Sequence, residues 1–121
     1  NSFLEKLFEE DIYVRLSTHK TLKTGNSKLQ VNLEIEYKGI TYDNINWLSG
    51  GEQSRISFAI TLALNKLNNS PFLLLDEFAS GLDGYLREKC IKILKHNFSH
   101  CTIIHICHEI INGLHDCIIE L

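Results

Sequence analysis

Methionine is absent from the 121 residues, and proline occurs once, at Pro71. No apolar run approaches the roughly 18 residues of a membrane-spanning helix, so no transmembrane role and no membrane partner are expected. The opening Asn1-Ser2-Phe3-Leu4-Glu5-Lys6 has neither the basic start nor the apolar stretch of a secretion signal. With no initiator methionine, the chain is expected to be a piece of a longer protein. Positive charge is also scarce: 12 Lys and Arg face 15 Asp and Glu, for a net charge of −3. That balance removes any strong whole-chain pull toward nucleic acid. The one basic stretch, Thr18 to Lys28, reads as a solvated hairpin turn. Cys90, Cys101, Cys107 and Cys117 lie among apolar residues without CxxC spacing, so buried reduced thiols in an intracellular protein are expected.

What is present is ordinary for a globular protein: 44% hydrophobic and 22% charged residues, enough for one core. Residues 1–10 place Phe3, Leu4, Leu7 and Phe8 at helical spacing and predict a short helix, or the end of a longer one. Residues 11–17 and 29–37 switch to period two and predict strands. Leu29, Val31, Leu33, Ile35 and Tyr37 fall on one face of the second, as in a half-buried antiparallel sheet. Lys38-Gly39 predicts a turn into a short strand at Ile40–Tyr42. From Ser49 the period is helical again. Ile56, Ala59, Ile60, Ala63, Leu64 and Leu67, with Phe58 and Leu62, predict a helix buried on most of its circumference. Asn68-Asn69-Ser70-Pro71 ends it. Phe72-Leu73-Leu74-Leu75 then reads as a central parallel strand. A helix over 84–97, with Leu86, Cys90, Ile93 and Leu94 inward, and strands over 101–107 and 116–121 complete a parallel α/β half.

Four short segments stand out chemically. In Leu48-Ser49-Gly50-Gly51-Glu52-Gln53, Ser49 and Glu52 have capping-box spacing. The two glycines are costly in a first turn, at up to about 1 kcal/mol each. They do leave backbone amides bare for an anion, so the segment reads as cap and phosphate contact together. Asp76-Glu77 follows an apolar strand, where open α/β sheets bind ligands. Side chains alternate there, so one carboxylate can serve Mg²⁺ while the other faces a reacting water. A solvated acidic strand end is the plainer reading. Ser80-Gly81-Leu82-Asp83 is a tight turn with a helix cap, and His108 follows the next strand.

In this order the four segments resemble the C-terminal lobe of an ABC-class ATPase head, from about residue 40 onward. Leu48–Gln53 is similar to that family's signature motif, Leu73–Glu77 to its Walker B strand, Ser80–Asp83 to its D-loop and His108 to its switch histidine. A helix and β-strands directly ahead of the signature resemble the SMC-like DNA repair and recombination ATPases, including phage or viral relatives. In transporter subunits a helical subdomain stands there. The resemblance implies an α/β fold with a parallel βαβ core behind a small antiparallel β segment. Its parts would be 1–10 as the end of a helix from a coiled coil, 11–47 as the β segment, and 48–121 as the signature and Walker B lobe.

No G-x-x-x-x-G-K-[ST] loop is present. In the family that loop lies in an N-terminal Walker A lobe, so the resemblance implies half a head, inactive alone. ATP and Mg²⁺ are then the implied cofactors. Asp76 would hold Mg²⁺ through water, Glu77 would polarise the attacking water, and His108 would meet the γ-phosphate. Ser49, Gly50 and Gly51, with Glu52 and Gln53, would reach nucleotide on a second head, with Asp83 at the same interface. DNA is the implied partner, and a nuclease subunit is implied by the repair relatives. Phe78-Ala79 departs from the Pro-Thr that often follows Walker B. Arg55 would relay nucleotide state to the coiled coil, against a plainer reading as an exposed helix salt bridge. A zinc site from His105, Cys107, His108, His115 and Cys117 would need a bend, because a strand sends His105 and His108 to opposite faces. A non-hydrolysing dimerisation module and a transporter subunit are the alternatives. Intact Glu77 and His108 weigh against the first, and the β segment ahead of the signature weighs against the second.

Overall fold

The computed structural model describes residues 1–21, 27–110 and 115–119. They fall into two compact units, Asn1–Ala59 and Ile60–Leu121.

In the first unit, helix α1 (Ser2–Leu7) buries Phe3, Leu4 and Leu7, and the chain turns extended at Phe8. Strand β1 (Ile12–Thr21) pairs antiparallel with β2 (Ser27–Tyr37), which pairs with β3 (Ile40–Tyr42). The β2–β3 connection is a two-residue hairpin in which Lys38 and Gly39 both have positive φ, 54° and 73°. That pair suits the right-handed twist of its flanking strands. The period-two expectation holds, with Ile12 opposite Tyr37 and Val14 opposite Ile35. Burial fades along the hairpin, however. Ile12, Ile35 and Tyr37 are buried, whereas Leu16 and Val31 are 58% and 71% exposed. The apolar face therefore extends past the part that α1 covers, and Val31 is not the core residue expected. The expected turn over 18–28 is also shorter than predicted. Strand pairing runs to Thr21 opposite Ser27, after an irregularity between Ser17 and His19, and residues 22–26 lie outside the described residues.

Helix α2 (Gly50–Asn68) follows a single 3₁₀ turn at Ile45–Trp47. Ile56, Phe58, Ala59, Leu62 and Asn65 are its buried residues, while Leu64 and Leu67 are exposed and Ala63 faces solvent as well. The helix is thus buried along a stripe rather than on most of its circumference. It ends where expected. Asn69 takes the left-handed conformation at φ 49°, and the N–H groups of Asn69 and Ser70 donate to the carbonyls of Lys66 and Asn65. This is a Schellman cap, with asparagine in the place glycine most often takes.

In the second unit, β4 (Phe72–Asp76) and β5 (Thr102–Ile106) pair in parallel through helix α3 (Gly84–Asn97). The crossover is the predicted βαβ unit. Cys90, Ile91, Ile93 and Leu94 form the buried side of α3. A four-residue apolar run predicts burial on both faces of β4, yet only Leu73 and Leu75 are buried, with Phe72 and Leu74 about half exposed. Ile104 and Ile106 of β5 are similarly open. The expected strand at 116–121 does not form among the described residues. Residues 116–119 have no ladder partner, Ile119 is 80% exposed, and 120–121 lie outside the description. Among the described residues no helix is long and apolar enough to cross a membrane.

Candidate functional site

The first candidate group opens α2. Asn44 caps the preceding 3₁₀ turn by accepting from the Asn46 N–H, and Trp47 on that turn is 73% exposed. The Ser49 N–H and Oγ donate to Glu52 Oε2 at 2.8 and 2.7 Å, and the Glu52 N–H reaches back to Ser49 Oγ at 3.4 Å. The capping box is therefore closed from both sides. Burial opposes a charge on Glu52, but the Ser49 side-chain and backbone hydrogen bonds outweigh it and hold the carboxyl below its ordinary value. Gln53 Nε2 donates to the Leu48 carbonyl at 2.8 Å, which fixes the first turn from its other side. A methyl group at Gly50 would meet nothing within 4 Å, and its φ needs no glycine. The fold therefore has no steric use for that glycine, and the space beside its backbone is open.

Arg55, one turn on, does not make the exposed helix salt bridge of the plainer expectation. Its guanidinium donates to the Gly51 and Leu7 carbonyls at 3.2 and 3.0 Å and stacks on Phe8 at 4.0 Å. It ties the start of α2 to the end of α1.

The second group gathers at the ends of β4 and β5. Asp76 lies opposite Ile106 in the ladder. Glu77 follows with φ 43°, and its N–H donates to the Ile106 carbonyl at 2.9 Å. A non-glycine residue in the left-handed region stores backbone strain, which concentrates at functional positions. The bend turns the Glu77 side chain toward the end of β5, where Glu77 Oε1 lies 2.6 Å from His108 Nε2. Asp83 caps α3 by accepting from the Leu86 N–H at 2.8 Å. A cavity of about 200 Å³ opens beside these groups, lined among others by Glu77, Ser80, Arg87, His105 and His108.

Arg87 escaped the sequence reading. Its Nε donates to the Ala79 and Leu82 carbonyls at 3.1 and 2.8 Å, and its Nη1 pairs with Glu109. One side chain thus braces the 79–82 turn and the residue after His108. Its four-residue spacing from Asp83 is the only sequence signal, and that spacing reads as an ordinary helix pair. His105 stacks on His115, with Nδ1 3.2 Å from His115 Nε2, and lies against Phe78. Among the described residues no three metal-binding side chains converge. Cys90 is buried, but Cys117 is exposed, so the expectation of four buried thiols fails there.

Asp76 and Glu77 are exposed hard-oxygen donors at one strand end, which suits Mg²⁺. This ion keeps much of its water shell and takes substrate phosphate oxygens, so one or two carboxylates are enough. No phosphate loop is present in the sequence.

Comparison with known proteins gives a consistent picture. The family described as "RecF/RecN/SMC N terminal domain" matches residues 8–114. Uncharacterized protein 050L of Invertebrate iridescent virus 6 is 33% identical over 128 residues, covering 98% of this chain and 12% of that protein. The molybdate/tungstate import ATP-binding protein WtpC of Methanocaldococcus jannaschii is 31% identical over 108 residues, covering 84% of this chain and 34% of that one. The chain therefore spans a minor part of both relatives. A solved structure described under ATP-driven dimerization and DNA stimulated activation of SMC ATPases superposes with TM-score 0.67 at 21% identity. It covers 89% of this chain and 63% of that chain.

Proposed function

Because the chain belongs to the RecF/RecN/SMC N-terminal domain family, we propose that it is the C-terminal half of an ABC-class ATPase head that serves DNA repair or recombination. The observation that carries this reading is the Glu77–His108 contact at the ends of two adjacent parallel strands. A strained backbone turns the carboxylate to the histidine, an arrangement a merely solvated strand end does not need.

In this reading Glu77 orients the water that attacks the γ-phosphate, and His108 meets that phosphate from the next strand. Asp76 holds Mg²⁺ through water, and the ion when bound neutralises phosphate charge. The Walker A lobe on which that nucleotide sits comes from outside these residues. Ser49, Gly50 and Gly51 act on nucleotide held by a second head, with Glu52 and Gln53 keeping their turn in shape. Asp83 stands at the same interface. Nucleotide then links two heads and hydrolysis releases them. Arg55 bridges α2 and α1 and so carries the state of Ser49–Glu52 toward a coiled coil continuing from α1. DNA is the partner of the assembled protein, with a nuclease subunit as in repair ATPases, inside a cell or a virus-infected host.

The likeness to WtpC favours one other reading, a transporter's nucleotide-binding subunit. The antiparallel strands standing directly before Leu48–Gln53 weigh against it.

The test is Mg-ATP turnover of the complete head, both lobes present, with and without linear DNA. Glu77→Gln is expected to lower the maximal rate by about a hundredfold or more, and DNA to raise the wild-type rate. Turnover that needs Glu77 but ignores DNA would move the protein toward the transporter reading. Turnover indifferent to Glu77 would overturn the assignment.

A further inference from the structure

His108 meets Glu77 with little around it: its side chain is 86% exposed, so packing does not fix where the ring stands. Its place depends on the backbone that carries it. One residue on, Glu109 pairs with Arg87 Nη1. From the other side, Arg87 Nε donates to the carbonyls of Ala79 and Leu82, two buried residues. The 79–82 turn leads straight back to Glu77, whose carbonyl accepts from the Ser80 N–H at 3.0 Å. The contacts therefore close a ring. It runs from the Glu77 carboxylate to His108, along the chain to Glu109, through the Arg87 guanidinium and back by the turn to Glu77. The Glu109 side chain is 73% exposed, and an ion pair so open to water adds little to fold stability. Its effect lies in closing the ring. Arginine suits the place, because its planar fork serves carbonyls with one nitrogen and a carboxylate with another.

We propose that Arg87 is a positioning residue that grips the 79–82 turn and Glu109 together and so keeps Glu77 and His108 in register for attack on the γ-phosphate. The inference rests on the reading of Glu77 and His108 as the groups that meet water and phosphate, and it names what holds them to each other. The β4–β5 ladder does not reach that far. Its last pair is Asp76 with Ile106, after which Glu77 leaves on a left-handed bend and His108 stands two residues beyond. Arg87 joins the two segments just past the point where strand pairing stops. A misplacement of about 1 Å between reacting groups can cost about a hundredfold in rate. Arg87 and Glu109 act through the pair, so their loss lowers the rate of the chemical step and leaves ATP binding as it was.

The experiment measures turnover against ATP concentration, and the urea midpoint, in the full-length protein with both lobes present. The set is wild type, Glu109→Ala, Glu109→Gln, Arg87→Ala and the double variant Arg87→Ala/Glu109→Ala. Glu109→Ala is expected to lower the maximal rate by about tenfold, with half-saturating ATP within about twofold and the urea midpoint unmoved. Glu109→Gln keeps an oxygen for Arg87 Nη1 and is expected to return the rate to within about threefold of wild type. Arg87→Ala frees the turn as well and should cost more, about thirtyfold, and adding Glu109→Ala to it should do nothing further. A merely structural role predicts a lowered urea midpoint and an unchanged rate per folded molecule. That result, equal losses in Glu109→Ala and Glu109→Gln, or additive effects overturn the inference. So does a loss expressed as raised half-saturating ATP, which would make Arg87 a direct nucleotide contact. If Arg87→Ala does not fold, the two Glu109 variants decide alone. Glu77→Gln is run beside them. Turnover that ignores Glu77, or none in wild type, overturns the reading of the site and this inference together. Glu77-dependent turnover that Glu109→Ala leaves unchanged overturns this inference only.

Discussion

His105 packs between Phe78 and His115, with one ring nitrogen facing its neighbour at 3.2 Å. Its other nitrogen, Nε2, and Nδ1 of His115 are buried without a partner. A proton added here charges a half-buried ring beside a second imidazole. Burial first, then the His115 charge, hold His105 below its ordinary value. The fold binds this proton less readily than the unfolded chain does. Stability is therefore complete above the ordinary histidine range and is lost as pH falls through the lowered folded value. Urea midpoints measured from about pH 7.5 down to about pH 5.5 should fall, and His105→Asn should flatten that slope. An unchanged slope would remove His105 from the account. That Glu77 and His108 follow neighbouring parallel strands was legible at this scale, whereas the left-handed bend that brings their side chains together was not. Arg87 was not, because a bond from a side chain to the carbonyls of a preceding loop leaves no periodic trace.

At the scale of elements, α2 separates what periodicity shows from what it leaves open. Apolar residues recur at helical spacing on two sides, and the sequence does not say which side is covered. In the structure Leu62 is fully buried and Leu67 is 81% exposed. Leu62→Ala should cost about 2–5 kcal/mol in chemical unfolding, and Leu67→Ala should stay within about 0.5 kcal/mol. Equal costs would mean that the exposed side is covered in solution. The ends of elements were more legible than their faces. Asp83, Asn69 and the Ser49–Glu52 pair all cap as their residue types predict, because capping is settled within a few residues. The strand expected over 116–121 needed a distant ladder partner, which local sequence cannot supply.

At the scale of the whole molecule, the β4–β5 sheet leaves Phe72, Leu74, Ile104 and Ile106 half open along strands that each have only one described neighbour. An apolar sheet with free edges invites pairing between copies. Sedimentation of these 121 residues alone should show association that grows with concentration, and Leu74→Lys should reduce it. A strictly monomeric chain at all concentrations would show that the sheet is protected. The α/β order and the parallel crossover were legible in the sequence, because composition and element succession dictate them. How much of each face a further layer covers was not. The family match likewise speaks for residues 8–114, while the relatives run far beyond that length.

Trp47 is the single tryptophan, and it lies open to solvent one residue before Leu48 and two before Ser49. The intrinsic fluorescence of this chain therefore comes chiefly from one place, beside the residues proposed to meet a second head. No dye has to be attached there. The protein carries its own optical label at that spot.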